Sequence, residues 1–364
     1  MEKGDGNLIT KEMKYIMTEL AEYKIIGRLI GGSAAELYII QRIKGGQIYV
    51  IKICAKEGVE NGRKKLEGEI NYLKALEISS IGMFAQVIDF YVGAEVVWYI
   101  MPYYKTSKTI REIICEKSDC KDIIFEIWGY LFCNLFDKNV RLAMKDFAIK
   151  RNINRVYSRM DECKKRDKRF ERLCKYEKIS INNSELYNYE YILQRVEENP
   201  VFLRKVSPVF ASLTHDDLTI ENVMVGEGKY IIIDPRGLSD TGYYRDYIYD
   251  IAKFTSTLSG FTTVKYGQFE VKQKENNITY ILNDTVQKEY DKYYNYVIEY
   301  SKYYSQKYFP NDIYWKERLL FSEGCHYLSD IACRIYNGDE YEKLVAIYAR
   351  GIEILNCFYK QIML

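Results

Sequence analysis

The sequence predicts an α+β chain in two lobes. Residues 1–104 read as a small antiparallel sheet with one helix inserted, and residues 105–364 as a larger, mainly helical lobe. Three observations lead there. Apolar runs of strand length, separated by glycine turns, fill residues 23–104. One amphipathic stretch interrupts them. Beyond residue 104 the apolar period lengthens from two to three or four.

After a short leader helix, KIIGRLIGGSAAELYII sets apolar residues on both sides of a glycine cluster, and QRIKGGQIYVIKIC adds a Gly-Gly turn and an alternating strand. Those are three strands and two turns. Residues 62–77 place Leu66, Ile70, Leu73 and Leu76 on one helical stripe. MFAQVIDFYV and EVVWYIMPYY complete the sheet, the second running to Pro102, which cannot donate to a ladder. In the second lobe Ile124, Ile127, Trp128, Leu131 and Leu135 share a face, and the helical period returns over 285–308 and 340–360. The stripe Tyr290, Tyr293, Val297, Tyr300 and Tyr304 reads as core packing. Two stretches depart from helix, a hairpin over roughly 268–282 and the run ASLTHDDLTIENVMVGEGKYIIIDPRG.

Length and composition bound the function. A chain of 364 residues corresponds to two units at roughly 150 residues per domain. With 48% hydrophobic residues, 29% charged and 5 prolines, disorder is excluded as the main state. The 53 basic against 51 acidic side chains give no field that would draw the protein onto nucleic acid or a membrane. The first residues, MEKGDGNLIT, lack an apolar core of signal-peptide length, and no uninterrupted apolar stretch of about 18 residues occurs, so an unexported protein is expected. Nine cysteines without a C-x-x-C pair read as reduced thiols. The expectation is a soluble, cytoplasmic protein acting on a small molecule, with no nucleic-acid or membrane partner.

The chemistry concentrates in 213–234, where His215, Asp217, Asn222 and Asp234 surround a short strand-turn-strand. Phosphoryl transfer asks for a carboxylate beside the attacking hydroxyl and oxygen ligands for Mg²⁺. Asp217 suits the first task. Asn222 and Asp234 supply one neutral and one charged oxygen for the metal. The same chemistry asks for a strand lysine paired to a helical glutamate, and Lys52 with Glu69 answers, Glu67 being second choice. Gly31-Gly32-Ser33 lies between two strands, where missing Cβ atoms let backbone N–H groups approach phosphate.

Taken in order, these residues resemble the protein-kinase-like superfamily over about residues 23–260. T-H-D-D-L-T-I-E-N followed by I-I-I-D-P is similar to its aminoglycoside phosphotransferase and choline kinase branch. The resemblance implies a bilobal protein-kinase-like fold binding ATP and Mg²⁺ between its lobes. It implies Asp217 as catalytic base with His215 bracing the loop, Asn222 and Asp234 on Mg²⁺, and Lys52 with Glu69 on the nucleotide phosphates. Ile100, Met101 and Tyr103 match the hinge whose backbone meets adenine; GTP stays open as donor. The implied acceptor is a hydroxyl of a sugar, amino alcohol or related metabolite. Only 16 positions separate Asp234 from Asp250, with no Ala-Pro-Glu, so a protein-kinase activation segment has no room. An inactive binding module and a protein kinase remain the other readings.

Asp216 departs from the resemblance, standing where that branch usually has glycine. Asp250 reads as a clamp on loop backbone. The stretch 151–178, with 11 basic and 5 acidic side chains, reads as a solvated helix face or else as a wall for an anionic substrate.

Overall fold

The chain divides into two units, residues 1–109 with 222–243 and residues 110–221 with 244–364. The computed structural model describes residues 11–29, 35–55, 62–78, 82–138, 140–226, 228–236 and 244–363.

In the first unit, β1 (Tyr23–Leu29), β2 (Glu36–Arg42), β3 (Ile48–Ala55), β4 (Asp89–Val92) and β5 (Val96–Pro102) form an antiparallel sheet in the order β1-β2-β3-β5-β4. Gly45 and Gly46, at φ of 93° and 71°, make the β2–β3 turn in a region that side chains avoid. Alternation sorts the faces. Tyr38, Ile40, Ile51, Ile53, Trp98 and Ile100 bury one face against Met13, Ile16 and Leu20 of helix α1 (Lys11–Glu19) and the turn after it. The residues between them, Val50, Lys52 and Cys54 on β3 and Val97, Tyr99 and Met101 on β5, belong to the other face. Helix α2 (Gly62–Ile78) matches the sequence expectation almost residue for residue and buries Leu66, Ile70, Leu73 and Leu76. Of MFAQVIDFYV only Asp89–Val92 is strand; Phe84 makes an isolated bridge to Ile232.

Read from sequence, the first lobe ends near residue 104 and 222–243 belongs to the helical part. The structure moves the switch to Thr109 and returns 222–243 to the sheet-containing unit. Backbone pairing is the cause. The hairpin Val223–Gly226 with Lys229–Ile232 pairs with β6 (Lys108–Thr109), Ile232 N–H donates to the Met83 carbonyl at 2.8 Å, and Ala85 N–H donates to the Ile232 carbonyl at 3.0 Å.

The second unit is mainly helical. Its long helices are Lys121–Leu131, which continues as a wider π turn to Phe136, then Asn154–Arg166, Asp284–Tyr308, Trp315–Tyr336 and Tyr341–Met363. The stripe from Tyr290 to Tyr304 is buried, as its spacing requires. The expected hairpin forms as Phe269–Lys274 with Asn277–Leu282, extended into four strands by Lys178–Ile181 and Ser184–Tyr187. All ten residues of Tyr247–Ser256 are buried, so this helix runs through the unit's core. Asp246 caps it and shares Arg318 with Asp312. Among the described residues, no helix is long and apolar enough to cross a membrane.

Candidate active site

Among the described residues, the side chains singled out from sequence fall into two constellations, one in each unit. In the first, period two on β3 turns Lys52 away from Ile51 and Ile53, and register sets Tyr99 directly beside it on β5. Glu69, on α2, meets the ammonium: Lys52 Nζ donates to both Glu69 carboxylate oxygens at 2.9 Å. It also donates to Asp234 Oδ1 at 2.9 Å. Tyr99 O–H donates to Glu69 Oε1 at 2.6 Å. Lys52, Glu69 and Asp234, read from sequence as members of one site, therefore converge. Tyr99 is an addition that sequence reasoning missed, although its place opposite Lys52 follows once the register is known.

The electrostatics follow from burial. Burial would depress the Lys52 ammonium, but the Asp234 and Glu69 carboxylates outweigh it and raise its proton affinity. Glu69 is pushed up to about 7, by burial first; Lys52 opposes this and the like charge of Asp234 adds to it. Two carboxylates facing one ammonium leave an excess negative charge once Glu69 ionises, above about 7. Asp234 remains 33% exposed, and its backbone sits at φ 58°, a left-handed conformation that Asp tolerates better than most residues. Asn222 opens the hairpin leading to Asp234, its carbonyl accepting from Ile233 N–H at 2.9 Å. A carboxylate and an amide are hard oxygen donors, and a partly exposed carboxylate with a surplus of negative charge beside it fits Mg²⁺.

Ile100 and Met101 lie buried at the end of β5, and Tyr103 follows the strand half-buried. Gly31, Gly32 and Ser33 lie outside the described residues.

The second constellation is built on the loop after Phe210–Leu213. His215 is fully buried, and its Nδ1 accepts from Asp217 N–H at 3.2 Å, which braces the loop. The Asp250 carboxylate accepts from the backbone N–H of His215 and of Asp216, each at 2.6 Å, so it is the clamp that its sequence position suggested. Burial pushes Asp250 up to about 8, with the two N–H donors opposing it. Asp216, unexplained by the sequence, takes φ 66° and is held by Arg151 at 2.7 Å and Arg245 at 3.2 Å. The asparate thus ties the loop to two other segments where glycine would only permit the turn. Asp217 keeps a side chain 25% exposed, with Lys253 Nζ 3.5 Å from its Oδ1.

The basic stretch is largely consumed by pairing. Arg159 meets Glu162, Lys164 meets Asp161 and Glu190, and Arg169 meets Asp167, while Arg166 stacks on the Tyr336 ring. His326 is buried with Nε2 3.2 Å from the Tyr249 carbonyl; burial holds it well below its usual range, helped by Lys253 and Arg155.

No family model and no curated protein matches the chain. Among solved structures it is similar to a candidate fructosamine-3-kinase from Haemophilus somnus 129PT, with a TM-score of 0.53 and 14% identity over 95% of each chain. The two share a fold. At that identity the likeness speaks for architecture alone.

Proposed function

We propose that the chain is a small-molecule kinase, transferring the γ-phosphoryl group of ATP to a hydroxyl of a sugar, amino alcohol or related metabolite. One observation carries this reading: a buried strand lysine held between a helical glutamate and the aspartate that follows the Val223–Ile232 hairpin. An ammonium so fixed is a ready counter-charge for phosphate oxygens. The shared fold with a protein named as a candidate kinase supports it.

In this reading Lys52, oriented by Glu69, binds the inner phosphates. Asn222 and Asp234 would hold Mg²⁺, which would supply positive charge against the developing negative charge of the phosphates. Asp217 accepts the acceptor's proton as its oxygen bonds to the γ-phosphorus and the bond to the β–γ bridging oxygen breaks, releasing ADP. His215 and Asp250 keep the loop in shape. Ile100, Met101 and Tyr103 offer backbone to the base. The neighbour's name places a fructosamine first among acceptors to try, ahead of amino alcohols and aminoglycosides.

The test is transfer of ³²P from γ-labelled ATP across those three classes, with Mg²⁺. We expect one class to be phosphorylated, and Asp217→Asn to abolish transfer while ATP affinity stays within about twofold, since no interaction with the ground-state nucleotide is removed. Undiminished transfer by that variant would remove Asp217 from its role. Labelling of a protein substrate alone would favour a protein kinase.

A further inference from the structure

Lys253 has no part in the roles above. It lies on Tyr247–Ser256, a helix buried throughout, where an ammonium needs partners. It has two. Asp330 Oδ2 accepts from Nζ at 2.6 Å, and Asp217 Oδ1 lies at 3.5 Å. The first is a short charge-assisted hydrogen bond; the second exceeds ordinary hydrogen-bond length and acts by charge.

The placement of Nζ is fixed from both helices. Glu323, His326 and Asp330 stand three and four residues apart on Trp315–Tyr336, forming one polar face. Each meets Tyr247–Ser256: Glu323 accepts from Thr255 Oγ1 at 2.9 Å, His326 meets the Tyr249 carbonyl, and Asp330 takes Lys253. On the lysine's own helix, Asp250 sits one turn earlier and grips the loop that carries Asp217. The same helix therefore holds the loop by its backbone and meets the base by its charge.

We propose that Lys253, anchored by Asp330, is a positioning residue for Asp217, holding that carboxylate ionised and in one orientation. The claim deepens the phosphotransfer reading and rests on it only for the role of Asp217. Other charged groups facing the pair are Arg155, on the Asp330 side, and Asp216 with Arg151 and Arg245 in the adjoining loop. His326 is kept neutral by burial. Burial would raise Asp330, yet Lys253 and then Arg155 bring it down to about 2, so the anchor stays charged across the working range. An ammonium already satisfied by Asp330 would not need the second carboxylate; the approach of Lys253 to Asp217 is what a purely structural pair leaves unexplained.

The experiment uses the full chain labelled with ¹³C at Asp carboxyls, titrated by NMR from pH 3 to 8, the Asp217 signal being identified by its loss in Asp217→Asn. In Lys253→Met the Asp217 midpoint should rise by about 1–3 units, the usual effect of losing an opposite charge at this range. Because that variant leaves Asp330 buried beside a neutral side chain, Lys253→Met/Asp330→Asn is measured with it, and a smaller rise of the same sign is expected. The acid limb of kcat/KM for ATP turnover should move with the midpoint. A midpoint unmoved in both variants, even with a lowered melting temperature, overturns the proposal and leaves a structural ion pair. Wild-type protein that turns over no ATP would defeat the kinase reading, while the titration would still decide the charge contact.

Discussion

Replacing Lys52 by methionine keeps most of the apolar stem and deletes the ammonium that Glu69 and Asp234 share. Breaking a buried pair by removing one partner costs about 3–5 kcal/mol, because the surviving charge is left uncompensated. Against a typical stability of about 5–15 kcal/mol this is a large fraction. The cost depends on pH. Glu69 has a folded proton affinity, at about 7, above its ordinary 4.5. Such a group gives stability that is fully present below about 4.5 and lost as pH rises through 7, at about 1.4 kcal/mol per unit. Without Lys52 the lowering influence on Glu69 disappears, so its midpoint moves higher still. Wild type and variant should therefore lose stability in parallel from about pH 4.5 to 7. Above that, the wild type levels off as Glu69 ionises against Lys52, and the variant continues to fall. Urea denaturation of metal-free protein at pH 5.5 and 8.5 measures the gap at each. A gap at pH 8.5 no wider than at 5.5 would refute the picture of a carboxylate kept ionised by this ammonium.

Three further outcomes follow from the loop and the proposed metal ligands. Asp250→Ala removes two backbone hydrogen bonds of 2.6 Å to a buried carboxylate and should cost about 3–4 kcal/mol in urea; amide exchange at His215 and Asp216 should accelerate, and unchanged protection there would count against the clamp. Asp216→Gly relieves a backbone at φ 66° but strands Arg151 and Arg245, so melting should fall by several degrees instead of rising by the roughly 1 kcal/mol that the backbone alone would give. Asn222→Ala and Asp234→Asn should each raise the Mg²⁺ concentration for half-maximal ATP turnover at least tenfold; a Mg²⁺ titration indistinguishable from wild type would remove that residue from the metal.

What the sequence made legible was whatever depends on near neighbours. Helix α2 could be read from a stripe of four residues, and alternation on β3 placed Lys52 opposite Ile51 and Ile53. A charged residue at an apolar position is a strong signal, since burial without a partner is so costly. What escaped depends on long-range pairing. The hairpin of 223–232 belongs with the first unit because Ile232 pairs with Met83 and Ala85, some 150 residues upstream in the chain, and no local pattern announces that. Asp216 looked like an anomaly for the same reason: its partners Arg151 and Arg245 come from separate segments. Lys253 and Asp330 did leave a trace. Lys253 is charged in a run otherwise suited to burial, and Asp330 repeats the spacing of Glu323 and His326 along one buried side of its helix. Only the meeting of the two helices turns those traces into a site.

The two constellations solve one physical problem in the same way. A lysine close to a reactive or ligand-binding carboxylate must be held, or its flexible stem lets the charge relax into water. In each case a second, more deeply buried carboxylate does the holding. Glu69, with a side chain 9% exposed, fixes Lys52 toward Asp234 at 33%. Asp330, at 12%, fixes Lys253 toward Asp217 at 25%. The buried partner satisfies the ammonium, and the more exposed one keeps solvent-facing lone pairs, which the proposed reading assigns to a ligand. Arginine should not substitute at either position, because its planar fork would engage both oxygens of one carboxylate and its added length would displace the charge. Lys52→Arg and Lys253→Arg should therefore preserve net charge and still lose ATP turnover by at least tenfold. Retention of full turnover by either would mean that charge alone, without its fixed position, is sufficient at that site.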